Sequence, residues 1–306
     1  MKIKLLGIDL SVGNGVTLTD LFTHIAALHG SPKELAGYAR FLYTAEKDGY
    51  YVGLLITTKN HNKFLEFKHD SKSAKLEARE TSDGAKLADF NFFAINKSSG
   101  RGVYQYYHQS CSLNKFGLLL KTYYEELKAA GIQAARISIG TPTAKEEKQI
   151  QQRFKGTLKW ATVVRKETFE KLISKFQQIK SIQINIATLA YEETIFTQLA
   201  REASRLTQRY SFNAGTPTDA VVKGVRSVFK ETEIKGARAE GIGEDGLEEV
   251  VKLINTPDYF GEFEFDKIAS TMTIEPTKFS ESEFLKEIIE VAKKAPALQQ
   301  SKDDKV

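Results

Sequence analysis

Apolar and polar positions change period several times along this chain, and each change marks an element. Residues 3–10 (IKLLGIDL) are a short, nearly continuous apolar run of strand length. The loop Ser11-Val12-Gly13-Asn14-Gly15 follows. Leu21, Phe22, Ile25, Ala26 and Leu28 then recur at helical spacing, with Thr17 or Thr19 as cap and Gly30 as stop. Residues 38–45 and 50–58 are rich in strand formers on either side of Asp48-Gly49, a hairpin signal. FLEF (64–67) and SAKLEAR (73–79) predict two more strands. Residues 87–96 and 102–109 predict a second hairpin whose tip runs from Asn96 to Gly102.

The middle and end of the chain predict alternating elements. LNKFGLLLKTYYEELKAAG (113–131) has helical spacing and ends on a glycine. IQAARISIG (132–140) alternates like a strand, and a polar helix is expected over 143–153. TLKWATVVR (157–165) reads as a strand, ETFEKLISKFQQIK (167–180) as an amphipathic helix, and SIQINIATL (181–189) as a strand with Ile182, Ile184 and Ile186 on one face. A long helix is expected over 191–210, two short strands within 219–238, an acidic helix near 245–254, the strand GEFEFDKI and a last helix over 281–295. The fold class is α+β: a mostly antiparallel N-terminal sheet with helices, then mixed α/β and a helical acidic C-terminal part. The segments are 1–110, 111–210 and 211–306, with no Pro/Gly-rich seam between them.

Charge divides the chain in another way. Residues 97–180 hold 16 Lys/Arg against 6 Asp/Glu, whereas residues 239–306 hold 8 against 16. The whole-chain net of +5 hides both. A basic middle is the footprint of a polyanion binder, and an acidic partner segment can mask it or pair with it. With 41% hydrophobic residues the chain can fold around a core. No stretch reaches the roughly 18 uninterrupted apolar residues of a membrane span. The single Cys111 allows no internal disulfide, which suits a cytoplasmic setting.

Two basic groups stand out. Lys97 and Arg101 sit on the Ser/Gly-rich tip of the second hairpin, where a bare backbone lets cations approach phosphates. Tyr104, Tyr106 and Tyr107 follow, either as stacking platforms or as sheet packing. Lys145, Lys148, Arg153, Lys155, Lys159 and Arg165 lie on a helix end and a strand and predict one positive surface. Arg201, Arg205 and Arg209 form an i, i+4, i+8 stripe on the expected 191–210 helix, able to follow a phosphate backbone or to pair with the acidic segment.

Catalytic signals are weaker. Glu66 and Lys68 have the Glu-x-Lys spacing of metal-dependent nucleases, with Asp48 as an upstream acid. His61 and His69 flank that strand without a third ligand for zinc. Cys111 has no partner beyond His108, and Gly13-Asn14-Gly15 falls short of a phosphate-binding loop. No motif calls for a cofactor.

The stretches YYVGLLITTKNHNKFLEF, ADFNFFAINKSSGRGVYQYYHQSCS and YSFNAGTPTDAVVKGVRSVFKE, in this order and spacing, resemble the RexA-type phage exclusion proteins and related anti-phage proteins. The resemblance rests on patterns of apolar strands and loops and supplies no catalytic motif. It implies a cytoplasmic DNA-binding protein that forms homodimers and signals to a membrane-protein partner. Together with the charge pattern it leads to an expectation of a non-enzymatic binder of DNA, double-stranded and with little sequence preference. The alternatives are a metal-dependent nuclease using Glu66 and Lys68, and an adaptor for an acidic protein.

Overall fold

A computed structural model of the chain describes residues 1–35, 37–59, 63–69, 74–81, 85–164, 166–186, 206–231, 234–253, 259–271 and 273–299. Its frame is one twelve-stranded sheet together with a separate two-stranded ribbon. The strands are β1 (Lys2–Ser11), β2 (Pro32–Leu35), β3 (Tyr38–Lys47), β4 (Tyr50–Thr58), β5 (Lys63–His69), β6 (Ala74–Glu80), β7 (Ala88–Asn96), β8 (Arg101–Tyr106), β9 (Lys159–Val164), β10 (Gln178–Ile186), β11 (Leu206–Ser211), β12 (Ile234–Ile242), β13 (Glu248–Leu253) and β14 (Gly261–Glu264). The helices are α1 (Leu18–Ala27), α2 (Leu113–Ile139), α3 (Ala144–Arg153), α4 (Lys166–Ile173), α5 (Thr218–Glu231), α6 (Phe265–Thr271), α7 (Glu283–Lys293) and α8 (Pro296–Gln299), with a 3-10 turn over Pro276–Glu281.

Strand order is β11-β10-β12-β13-β9-β1-β8-β7-β4-β3-β2. The pairings are antiparallel except β13 with β9. β1 is the hub. One edge pairs with β8; the other pairs with β14 over Lys2–Leu5 and then with β9 over Gly7–Ser11. Hydrogen-bonded ladders thus join all three expected segments. The β5–β6 ribbon forms a sheet of its own. The α+β class therefore holds, with a largely antiparallel mixed sheet.

The local turn chemistry is legible. Asp48 (φ 52°) and Gly49 (φ 82°) both adopt positive φ, as a two-residue turn between right-twisted strands requires. At the second hairpin, Asn96 Oδ1 accepts from the Ser98 and Ser99 amides and closes the tip. Thr17 and Asp20 form a reciprocal capping box at α1, and Thr143 and Glu146 do the same at α3.

Alternation along the strands decides the layers. In β1 the even positions Ile8 and Leu10 join a core beneath α1, α2 and α3. The odd positions Ile3 and Leu5 join a second core capped by the 3-10 turn, α7 and α8. In β9, Trp160 packs on the first core and Val164 belongs to a third, which includes residues of α4 and α5. The helices α1–α5 therefore share one face of the sheet, and the C-terminal helices cover the other face of its N-terminal half.

Six expectations need correction, the first being that the strand expected over GEFEFDKI (261–268) stops at Glu264 and Phe265–Thr271 forms α6. Residues 132–139 are not a strand but the continuation of α2. Extending an existing helix avoids the cost of nucleation, and Gln133, Ala134, Ala135 and Arg136 all favour it. Gly131 does not end it: Phe154 packs so close that a Cβ there would lie 2.7 Å from its ring. Residues 218–231 are not strands but α5, because Val221, Val222, Val225 and Phe229 bury one helical face despite their β-branching. Residues 248–253 are not a helix but β13, a strand held between β12 and β9 with Val251 and Leu253 inward. The helix expected over 167–180 ends at Ile173, since β10 begins at Gln178. Of the helix expected over 191–210, residues 191–205 lie outside the described residues and 206–210 belong to β11. The acidic C-terminal part is correspondingly not an appended helical tail: it supplies strands to the sheet and the cover of one face.

Candidate nucleic-acid interface

The expected cations separate into two kinds. The first kind is engaged within the fold. Lys97 pairs with Glu46 of the neighbouring hairpin and lies 5.3 Å from the Tyr51 ring centroid. Arg101 reaches buried Asp9 (Nε to Oδ2, 3.5 Å) and donates from Nη1 to the Ala297 carbonyl of α8 at 3.1 Å. Lys252 of β13 meets the same Asp9 oxygen at 2.7 Å. The hairpin tip is not an open loop: Ser99 is fully buried and its hydroxyl donates to the Leu298 carbonyl. Tyr104 and Tyr107 are also buried, Tyr104 stacked 4.8 Å from Phe116, so the tyrosine strand packs the sheet.

The second kind has no ion pair among the described residues, although Arg153 lies over the Phe154 ring, 5.5 Å from its centroid. α3 folds back on α2 after Gly140, which closes α2 with φ 88°. Buried Ile150 and Phe154 anchor it, and an ion pair links Arg136 with Glu147. At 100° per residue, Lys145 and Lys148 fall on the side of α3 turned away from Ile150. Both acids of α3 are already engaged, Glu146 in the cap and Glu147 with Arg136. The Arg136 and Gln151 hydrogen bonds hold the Glu147 carboxyl far below the usual range, at about 2. Lys145, Lys148, Arg153, Lys155 and Lys159 are all exposed. No ion pair engages any of the five among the described residues. Lys155 and Lys159 flank the loop of Gly13 and Asn14: the Asn14 amide donates to the Lys155 carbonyl, and Ser11 pairs with Lys159 in the β1–β9 ladder. Arg165 lies outside the described residues.

Tertiary structure adds cations that no window of sequence unites. Lys121 of α2, Lys159, Lys180 and Arg238 border a cleft of about 170 Å³. Glu248 and Glu240 also border it and hold Lys180 and Arg238. Across the face opposite α4 and α5, strand register aligns Arg209, Gln183, Arg238 and Lys252 in one row. Glu240 and Asp9 balance that row. The acidic segment therefore pairs with Lys180, Arg209 and Arg238 and leaves the α3 cations uncovered. Arg209 does so from a strand, not from a helical stripe; Arg201 and Arg205 lie outside the described residues.

The nuclease candidates are placed apart. Glu66 and Lys68 lie on the β5–β6 ribbon, opposite Glu77 and Lys75. Asp48 is at the β3–β4 turn, 3.1 Å from Lys293 of α7. His61 lies outside the described residues, and His69 ends β5. Among the described residues no three His, Cys, Asp or Glu side chains gather as a metal site. Cys111 is buried, and burial pushes its thiol up. At the Gly13–Gly15 turn, Gly13 packs on the Gly156 backbone and the α1 N-terminus is closed by its own Asp20. No helix among the described residues is long and apolar enough to cross a membrane.

No protein-family model matches the chain, and no curated protein matches it either.

Proposed function

We propose that this chain is a non-enzymatic DNA-binding protein that holds duplex DNA by its phosphates, with little sequence preference. The observation that carries the proposal is the group of five exposed cations, Lys145, Lys148, Arg153, Lys155 and Lys159, without an acidic partner among the described residues. Exposed cations on a helix and an adjoining loop neutralise phosphates and displace condensed counterions, which favours binding irrespective of base sequence. Arg165 follows β9 directly and extends the same basic segment in sequence. Lys97 and Arg101, both engaged within the fold, are not part of the surface in this reading.

The resemblance of three sequence stretches to RexA-type phage exclusion proteins supports a role in phage exclusion or anti-phage defence. In such a role the protein acts as a cytoplasmic homodimer. Two α3 surfaces then engage one duplex, and avidity raises the affinity of two moderate patches. A membrane protein would relay the signal. The direct test is titration of labelled duplex DNA at low salt, by anisotropy, with two unrelated sequences. Similar affinities for both are expected. Failure to bind either duplex ends the DNA reading.

A further inference from the structure

A second cationic site lies at the other end of α2, and it is recessed. Arg40 on β3 is 2% exposed and lines a cavity of 420 Å³ between the ends of β3 and β4 and the start of α2. Its Nη1 donates to the backbone carbonyls of Leu35 and Tyr38. Its Nε is buried without a hydrogen-bond partner. The nearby carboxylate, Asp89, is paired with Lys59 at 3.0 Å, and no ion pair among the described residues engages Arg40. A guanidinium shielded from water and without a counter-anion is strongly disfavoured, so this environment calls for an anion.

The other walls agree with that demand. Thr57 contributes a buried hydroxyl that also lacks a partner. Lys59 and Lys115 line the same cavity. Lys115 belongs to the first turn of the 27-residue helix α2, a turn that carries no acid, so the positive end of the helix dipole adds to the field. Three cations against one carboxylate leave two positive charges. That balance suits a phosphate dianion better than a carboxylate. A hydroxyl and the Lys115 ammonium besides the guanidinium also suit tetrahedral oxygens better than a planar fork. The volume exceeds that of a bare phosphate, and the Arg40 guanidinium lies over the Tyr38 ring, 5.6 Å from its centroid.

We propose that this cavity binds the phosphoryl group of a small phosphate monoester. The site is independent of the DNA surface: Lys115 and Gly131, where α3 packs, are sixteen residues apart on α2, roughly 24 Å at the helical rise. Calorimetric titration with inorganic phosphate, adenosine monophosphate, adenosine and acetate tests it. Phosphate and the monophosphate should bind, and adenosine and acetate should not. Lys115→Glu should weaken phosphate at least tenfold, Thr57→Val should weaken it less, and both variants should bind duplex DNA like the parent. Arg40→Met should no longer be stabilised against heat by phosphate. Phosphate affinity weaker than a Kd of about 10 mM, or equal affinity in parent and Lys115→Glu, would overturn the site even if DNA binding holds.

Discussion

The salt dependence of DNA binding can be worked out from the free cations. Five such side chains, Lys145, Lys148, Arg153, Lys155 and Lys159, are exposed without an ion pair among the described residues. If each neutralises one phosphate, log K falls against log salt with a slope of about −4.5 for each subunit engaged. Raising monovalent salt from about 50 to about 200 mM then weakens binding roughly 500-fold. The double substitution Lys145→Gln/Lys148→Gln removes two contacts from the outer side of α3 and touches no core residue. Its slope should fall to about −2.7, so the same salt step weakens binding only about 40-fold. Lys97→Gln is the internal control. Lys97 is already paired with Glu46, so its loss should leave the slope unchanged. Fluorescence anisotropy on two unrelated duplexes across a salt series measures all three. A parent slope shallower than about −1 would refute the reasoning. So would a double variant with the parental slope, or one that lost affinity for one sequence only.

Three further predictions concern the fold that presents this surface. Asp9→Ala leaves Arg101 and Lys252 without their shared carboxylate and should lower unfolding free energy by about 3–5 kcal/mol in urea titration, since one partner of a buried charge cluster is lost. Gly117→Ala places a Cβ 2.3 Å from the Trp160 ring, and over-packing there should cost about 1–3 kcal/mol by the same assay. Glu147 has its carboxyl lowered to about 2 by Arg136 and Gln151, so its folded value lies below its unfolded one. Its stabilising contribution is therefore fully present above the unfolded carboxyl range, near 4.5, and is lost as pH falls toward about 2. Glu147→Gln should flatten the melting-temperature profile in that window, and an unchanged profile would show that the α2–α3 ion pair is not linked to folding.

The sequence revealed elements wherever local chemistry was sufficient. Asp48-Gly49 marked a turn that only positive φ satisfies, the Thr17/Thr19 pair marked a helix start, and the alternating isoleucines of β10 marked a strand. It misread elements whose state depends on distant neighbours. The valines of α5 favour strands locally, yet their helical spacing buries them together with Phe229. Glu248–Leu253 carries acids that suggest a helix, yet its amides and carbonyls pair with β12 and β9. The candidate site behaves in the same way. The α3 cations were visible because a helix keeps neighbours in sequence together in space. Arg40 carries no such signal, since nothing near it in sequence brings Thr57, Lys59 and Lys115 to the same cavity.

The basic middle and acidic end are fixed by composition alone, because charge needs no fold to be counted. Which charges remain available is a tertiary decision. Asp9 draws in Arg101 from β8 and Lys252 from β13, Glu46 takes Lys97, and Glu240 and Glu248 take Arg209, Arg238 and Lys180. An ion pair forms only where strand register brings opposite charges within a few ångströms, so the sheet sorted an undifferentiated run of lysines and arginines. What remains is a group without ion pairs on α3, β9 and the loop between them, and the buried Arg40.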